Sequence, residues 1–259
     1  MNIITVLTDF GEHDPYVGIV KGVMLAINPR AAIVDITHEV EPQDVKEASF
    51  LVGDYYRYFP EGTIHLCVVD PTVGSTRKPL IVARHGHLFV GPDNGLFSLV
   101  LAKGEGTTRE ITNSRYMRAT VSGTFHGRDI FAPSAAYLSH GIHPSEFGPA
   151  VESPVMLRDL FPTIEGDAME GRIVRFDRFG NAISNIAYEF FTDFARGGPF
   201  TIDLCGLSFR ALSTSYYEGR HTCLAGSSGY LEFGLFMGNL ASERGIRKGE
   251  KVKVLRGLP

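Results

Sequence analysis

"IITVLTDFGEHDPYVGIVKGVMLAINPRAAIVDI", residues 3–36, decides the fold. Two runs rich in β-branched residues, 3–7 and 32–36, bracket a segment in which Val17, Val20, Met24 and Ile27 recur at helical spacing. Pro29 falls just past that helix, where a residue unable to continue it belongs. Apolar strands joined through a helix predict neighbouring parallel strands covered on both faces. The alternation continues with "TIHLCVV" (63–69), "PLIVA" (79–83) and "HLFVG" (87–91) as strands. "DVKEASFLVGDYYRYF" (44–59) stacks Ala48, Leu51, Val52 and Tyr55 on one helical face. "DIFAPSAAYLSHG" (129–141) reads as a third helix, broken at its start by Pro133.

Beyond residue 150 the texture changes. "SPVMLRDLFPTIEGDAMEG" (153–171) carries two prolines and two glycines and reads as a connecting stretch. After it come "GRIVRFD", "NAISNI", "FTIDLCGLSFRAL", "GYLEFGLF" and "KVKVLRG", short strands separated by turn residues. The expected architecture is an α/β domain with a largely parallel sheet over 1–150, a linker over 151–168, and a small all-β, barrel-like domain over 169–259.

The chain of 259 residues is 44% hydrophobic, enough for a sizeable core, and its net charge of −4 gives no basic footprint. Neither nucleic acid nor an anionic membrane is therefore expected as a partner. Cys67, Cys205 and Cys223 are odd in number and lack CxxC spacing, so neither a disulfide framework nor a zinc site is indicated. The sequence opens on a strand without a basic leader, and no apolar run reaches membrane-spanning length, which makes the cytoplasm the expected location.

Ligands of open α/β sheets bind beyond the carboxyl ends of the strands, where Asp9, Asp35 and Asp70 fall. Any one of these acids alone is better read as a turn or helix cap. "VVDPTVGSTR" (68–77) adds Arg77 a loop's length from Asp70, which suggests a structural ion pair or the floor of a site. In "SGTFHGRDIFAP" (122–133), His126 precedes a glycine at a helix entrance and could be a hydrogen-bond partner, a base or a metal ligand. "GPDNG" (91–95) is a turn by composition, while His85 and His87 would share one face of a strand, read as facing solvent. "FDRFGNAISN" (176–185) sets Asp177 and Asn181 around a bend with Phe179, an aromatic and an amide suited to a planar base. "AGSSGYLEF" (225–233) places Ser227 and Ser228 in a turn able to donate hydrogen bonds.

"TDFG", "DITHEV", "VVDPTVGSTR", "GPDNG", "TFHGRDIFAP" and "DRFGN", in that order over nearly the whole chain, resemble the S-adenosyl-L-methionine (SAM) hydrolases, or SAM hydroxide adenosyltransferases, relatives of the fluorinase and chlorinase. The resemblance implies the two domains above and a homotrimer, with SAM held between one subunit's N-terminal domain and its neighbour's C-terminal domain. It implies cleavage of SAM by water to adenosine and methionine without metal or other cofactor. By motif, Asp70, Arg77 and His126 would be the catalytic set and Asp9 would hold the ribose hydroxyls. Asn181 would meet the adenine edge, Asp177 and Ser227 the methionine portion, and Tyr216 and Phe179 would wall the nucleoside. The halide-using relatives carry an aromatic residue where Asp70 stands and an arginine where Ser228 stands, and the first of these differences favours water as nucleophile.

Two other readings remain open on sequence alone. A metal-dependent phosphohydrolase could gather Asp9, Asp70, Asp93 and His126, and its activity would be sensitive to chelators. A non-catalytic nucleoside-binding module would keep the pocket and have no use for the Asp70–Arg77–His126 set.

Overall fold

Alternate residues of the central strand, "IHLCV", go to opposite sides of one sheet, and both sides are buried. Ile64, Leu66 and Val68 join one apolar cluster, Cys67 and Val69 another. The computed structural model describes residues 3–257. The chain divides into two units, Met1–Leu157 and Arg158–Pro259.

The first unit runs β1 (Ile3–Thr8), α1 (Tyr16–Ile27), β2 (Ala32–Thr37), α2 (Val45–Tyr55), β3 (Ile64–Val68), β4 (Pro79–Arg84), β5 (His87–Pro92), α3 (Ser98–Leu101), β6 (Gly106–Glu110) and α4 (Ala132–Ser139). Its sheet has the order β2-β1-β3-β5-β4-β6. The β1–β2, β1–β3 and β3–β5 pairs are parallel, and β4 runs antiparallel to β5 and β6. Val20 and Met24 of α1 and Ala132, Ala135 and Ala136 of α4 close one face. Ala48 and Val52 of α2, with Val100 of α3, close the other. The expected α/β layer is therefore present.

Two local expectations are corrected. Pro133 does not break the third helix: a π-helical turn, Gly127–Phe131, leads straight into α4, and the Asp129 carbonyl, which the proline cannot serve, accepts the Arg118 N–H at 2.9 Å instead. His85 and His87 do not share a solvent-facing strand surface. His85 lies in the β4–β5 turn at φ 53°, stacked on Tyr56 at 5.6 Å. His87 is buried, its Nδ1 3.1 Å from Nε2 of fully buried His65.

The second unit contains β7 (Thr163–Glu165), β8 (Ala168–Phe176), β9 (Ala182–Ala187), α5 (Tyr188–Ala195), β10 (Phe200–Leu204), β11 (Leu207–Phe209), β12 (His221–Ala225), β13 (Tyr230–Leu235), α6 (Leu240–Arg244) and β14 (Lys251–Arg256). Its strands follow the order β11-β10-β14-β8-β9-β13-β12, with β7 on β8, and every pairing is antiparallel. The long β8 serves β14 through its first half and β9 through its second, which bends the sheet into the barrel-like form. Phe191 and Phe194 of α5 pack into this unit's core with Phe233 and Val254. No helix among the described residues is long and apolar enough to cross a membrane.

Candidate active site

Strand β3 ends at Val68, and the chain leaves the sheet through Val69 into the turn that carries Asp70 and Arg77. Their side chains are only 5% and 6% exposed, so each charge depends on the other for compensation. Arg77 Nε donates to both carboxylate oxygens of Asp70 at 3.1 and 3.0 Å, and Nη2 reaches Oδ2 at 2.5 Å. The same Nη2 lies 2.6 Å from Nδ1 of His126. A guanidinium only donates, so His126 Nδ1 accepts and the imidazole proton sits on Nε2. Burial, then the positive charge of Arg77, pushes the His126 pKa down from its ordinary value, against the opposing pull of Asp70 and Asp129. The imidazole is thus held neutral. Phe131 supplies an aromatic face 5.2 Å from the Arg77 guanidinium carbon.

Two tethers hold this triad in place. Asn94 of "GPDNG" donates through Nδ2 to the Val69 carbonyl at 2.8 Å, fixing the residue before Asp70. Gly74, at φ +81°, brings the 70–77 turn against the segment leading to His126, and a Cβ there would lie 2.3 Å from the Gly123 carbonyl oxygen. Gly74→Ala is expected to push the two segments apart, lengthen the Arg77–His126 contact and lower turnover roughly tenfold, the scale of one hydrogen bond lost. Steady-state kinetics beside a thermal melt of the variant check this.

Just past His126, Asp129 is fully buried. Burial alone would raise its pKa, but Arg128 at 2.7 and 2.9 Å and the Ser122 N–H at 2.9 Å hold its carboxyl down at about 2. That pairing anchors the π-turn which aims His126 and Phe131. Asp9 belongs to the same neighbourhood. Burial raises its pKa, the Gln43 N–H at 2.8 Å opposes this, and the negative charge of Asp70 raises it further. Phe10 and Phe125 meet edge to face at 5.9 Å, bringing the loops of Asp9 and His126 together.

In the second unit, Asp177 Oδ1 accepts from the Phe179 and Asn181 N–H groups, each at 2.9 Å, and Oδ2 accepts from Asn181 Nδ2 at 2.8 Å. Asn181 Nδ2 also lies 3.5 Å from the Tyr216 hydroxyl, which donates to Glu232. Burial, then the Glu232 carboxylate, raises the Tyr216 pKa, and burial raises that of Glu232. Gly180, at φ +81°, makes this tight bend: a Cβ would sit 2.1 Å from the Asn239 side chain. Phe179 is 74% exposed, an aromatic face with nothing over it. Ser227 is exposed in the β12–β13 turn, whereas Ser228 is buried.

Sequence reasoning brought out Asp70, Arg77 and His126, which touch; Asp9, beside them; and Asp177, Asn181 and Tyr216, which form one hydrogen-bonded chain. It did not bring out Phe131, Asp129, Asn94 as a tether, or Glu232. Of these, Asp129 and Asn94 lay within quoted motifs, and their burial was the missing signal. Among the described residues, Asp9, Asp70, Asp93 and His126 do not converge as ligands for one ion; the acids that come close enough are Glu41, Asp44 and Glu47. The four-residue phosphohydrolase centre is thereby corrected: Asp70 is engaged by Arg77, and Asp93 accepts from the Val155 N–H.

Residues 4–148 match the model of the SAM hydroxide adenosyltransferase N-terminal domain, and residues 171–253 that of its C-terminal domain. The chain belongs to the SAM hydroxide adenosyltransferase family. A protein of Thermus thermophilus named (R)-S-adenosyl-L-methionine hydrolase is 34% identical, covering 98% of this chain and 100% of its own. One of the same name from Methanocaldococcus jannaschii is 32% identical over 98% of this chain and 96% of its own. A fluorinase of Actinoplanes is 29% identical over 71% of each. The crystal structure of an uncharacterized conserved protein from Thermotoga maritima superposes with a TM-score of 0.89 at 33% identity, covering 98% of this chain and 100% of that one.

Proposed function

We propose that this chain hydrolyses S-adenosyl-L-methionine to adenosine and L-methionine, with water attacking C5′ in line with the departing sulfur. The observation that carries the reading is the end-to-end match to proteins named (R)-S-adenosyl-L-methionine hydrolase. The buried Asp70–Arg77–His126 triad supports it, because its chemistry suits the reaction.

The sulfonium carries its own positive charge, so methionine leaves as a neutral thioether and no acid is needed on the departing side. Charge disperses as the C–O bond forms, which a desolvated pocket favours over the charged ground state. What remains is to hold one water in line. In this reading Asp70 and His126 orient it, and Arg77 stabilises hydroxide character as it develops. An aspartate is a weak base, but the nearby sulfonium and the Arg77 guanidinium make the held water more acidic, so a weak carboxylate suffices to take the proton as the C–O bond forms. The step balances: one C–O bond forms, one C–S bond breaks, and one proton passes to Asp70 and on to solvent.

In the same reading Asp9 holds the ribose hydroxyls. Asn181, Phe179 and Tyr216 recognise the nucleoside, while Asp177 and Ser227 hold the methionine portion. The protein is a homotrimer acting in the cytoplasm without metal or other cofactor. The test is incubation with both sulfonium epimers of SAM in labelled water, with and without chelator. Adenosine carrying the label at its 5′ oxygen, undiminished by chelator, is expected; intact SAM, or label entering methionine, would overturn the reading. Light scattering of the intact protein at a mass of three chains tests the assembly.

A further inference from the structure

His38, from the "DITHEV" stretch, has no part in the chemistry above, yet it is 4% exposed and sits in a continuous polar chain. The chain begins at the surface, where Lys21 Nζ meets Asp35 Oδ2 at 2.5 Å. The other oxygen, Asp35 Oδ1, lies 3.1 Å from His38 Nε2, close enough to attract its proton although the pair is poorly aligned for a hydrogen bond. His38 Nδ1 is 2.9 Å from Thr8 Oγ1, and Thr8 Oγ1 accepts the Phe10 N–H at 3.3 Å. With the proton of His38 on Nε2, facing the carboxylate, Nδ1 accepts the Thr8 hydroxyl proton, so donors and acceptors run in one direction along the chain.

The residues at the far end matter. Thr8 and Phe10 flank Asp9, and the Gly11 N–H donates to the His38 carbonyl at 2.8 Å. Gln43, five residues further on, gives its N–H to Asp9 Oδ2 and does so at φ +70°, a conformation unfavourable for a residue with a Cβ. Val40, 2% exposed, pins the segment between them into the core. Residues 38–43 therefore grip the Asp9 loop on both sides and at the carboxylate itself.

We propose that His38 is a positioning residue for the nucleoside site, acting through Thr8 to fix the loop that presents the Asp9 carboxylate. It touches no substrate itself. The proposal rests on the SAM-hydrolase reading for what Asp9 binds, but not for the loop that His38 holds.

An asparagine amide reaches the place of Nδ1, and a glutamine amide that of Nε2. His38→Asn thus keeps a partner for Thr8 while losing Asp35, and His38→Gln does the reverse. The intact protein carrying each, together with Thr8→Val and Thr8→Ser, is assayed for SAM cleavage and for amide hydrogen exchange at Phe10. His38→Gln and Thr8→Val are expected to raise KM about tenfold with kcat within a factor of two, and to speed Phe10 exchange about tenfold, the loss of one hydrogen bond. His38→Asn and Thr8→Ser are expected to stay near the parent in both. A residue that merely filled the core would lower the melting temperature and leave KM and the Asn/Gln contrast unmoved, which would overturn the proposal. So would Phe10 exchange unchanged in Thr8→Val. If the parent protein does not cleave SAM, the hydrolase reading falls alone, and the exchange data still decide whether His38 holds the loop.

Discussion

Arg77→Ala is expected to lower kcat for SAM cleavage by about a thousandfold while changing the dissociation constant for adenosine by less than threefold. The magnitude follows from what that side chain does in the proposed reaction: it is the nearest positive charge to the oxygen as hydroxide character builds, and, second to burial, it lowers the His126 pKa while donating to Nδ1. The variant also leaves Asp70 buried without its partner. Breaking a buried pair from one side costs about 3–5 kcal/mol, so a lower melting temperature is expected at the same time. Loss of activity through unfolding must therefore be told apart from loss of chemistry.

Asp70→Leu combined with Arg77→Met separates the two. Replacing both partners by apolar groups removes the stranded charge and is expected to recover most of the stability. Turnover should stay as low as in Arg77→Ala. Arg77→Lys is a further comparison: it keeps the charge but not the fork that meets Asp70 and His126 together, and it is expected to remain at least thirtyfold impaired. If the apolar double variant regained parental turnover, the triad would be scaffolding and the mechanism wrong. Kinetics, adenosine titration and thermal melts on the same preparations decide it.

Acid is expected to unfold the first unit earlier than its carboxylates alone would dictate. His65 is fully buried between Thr5 Oγ1 at 2.8 Å and His87 at 3.1 Å, with Phe89 stacked at 4.9 Å. Burial, then the neighbouring His87, pushes its pKa down to about 3. The pKa of His87 is lowered in the same sense by burial and by His85, against the opposing charge of Glu61. A histidine whose folded pKa lies below its unfolded value of about 6.5 binds fewer protons folded than unfolded. The stability held in neutral His65 is complete above that pH and falls away as pH drops toward about 3. By pH 4 the loss from His65 alone is about 3 kcal/mol. Asp129, held at about 2, gives up its own contribution in a lower window, roughly below pH 4, so the two can be resolved. Urea unfolding at steps from pH 7 to 4 should show a falling midpoint for the parent and a much flatter one for His65→Gln, which hydrogen-bonds but does not titrate. Parallel curves would remove His65 as the cause.

Five of the six strands of the first unit's sheet were legible because they are rich in apolar residues, as residues 64–68 show, and α1 because it repeats its buried residues at a helical period; β6, "GTTRE", is polar and gave no such signal. The antiparallel direction of β4 was not legible, since a buried strand reads the same either way and only the short turn at His85–Gly86 points to a hairpin. Helix α5 is hard to read because "YEFFTDFA" is rich in aromatics that favour strands; its buried residues, Phe191, Phe194 and Ala195, recur at helical spacing over a single turn only. The triad showed as residue types in motifs, but its contacts join segments 49 residues apart, a distance that no local pattern spans. The burial of His87 was misread for a related reason: alternation along β5 cannot tell a helix-covered face from a wet one.

The contact between Gly74 and Gly123 bears on how this catalyst could be improved by directed evolution. The contact is one-sided: a side chain at Gly74 would strike the Gly123 carbonyl, whereas a Cβ at Gly123 would enter open space. Libraries that randomise the 70–77 turn while the 122–126 segment stays fixed will therefore lose most members at Gly74, and Gly123 tolerates change alone. Gains in rate should come from exchanging 70–77 and 122–126 as a matched pair, grafted together from a single relative.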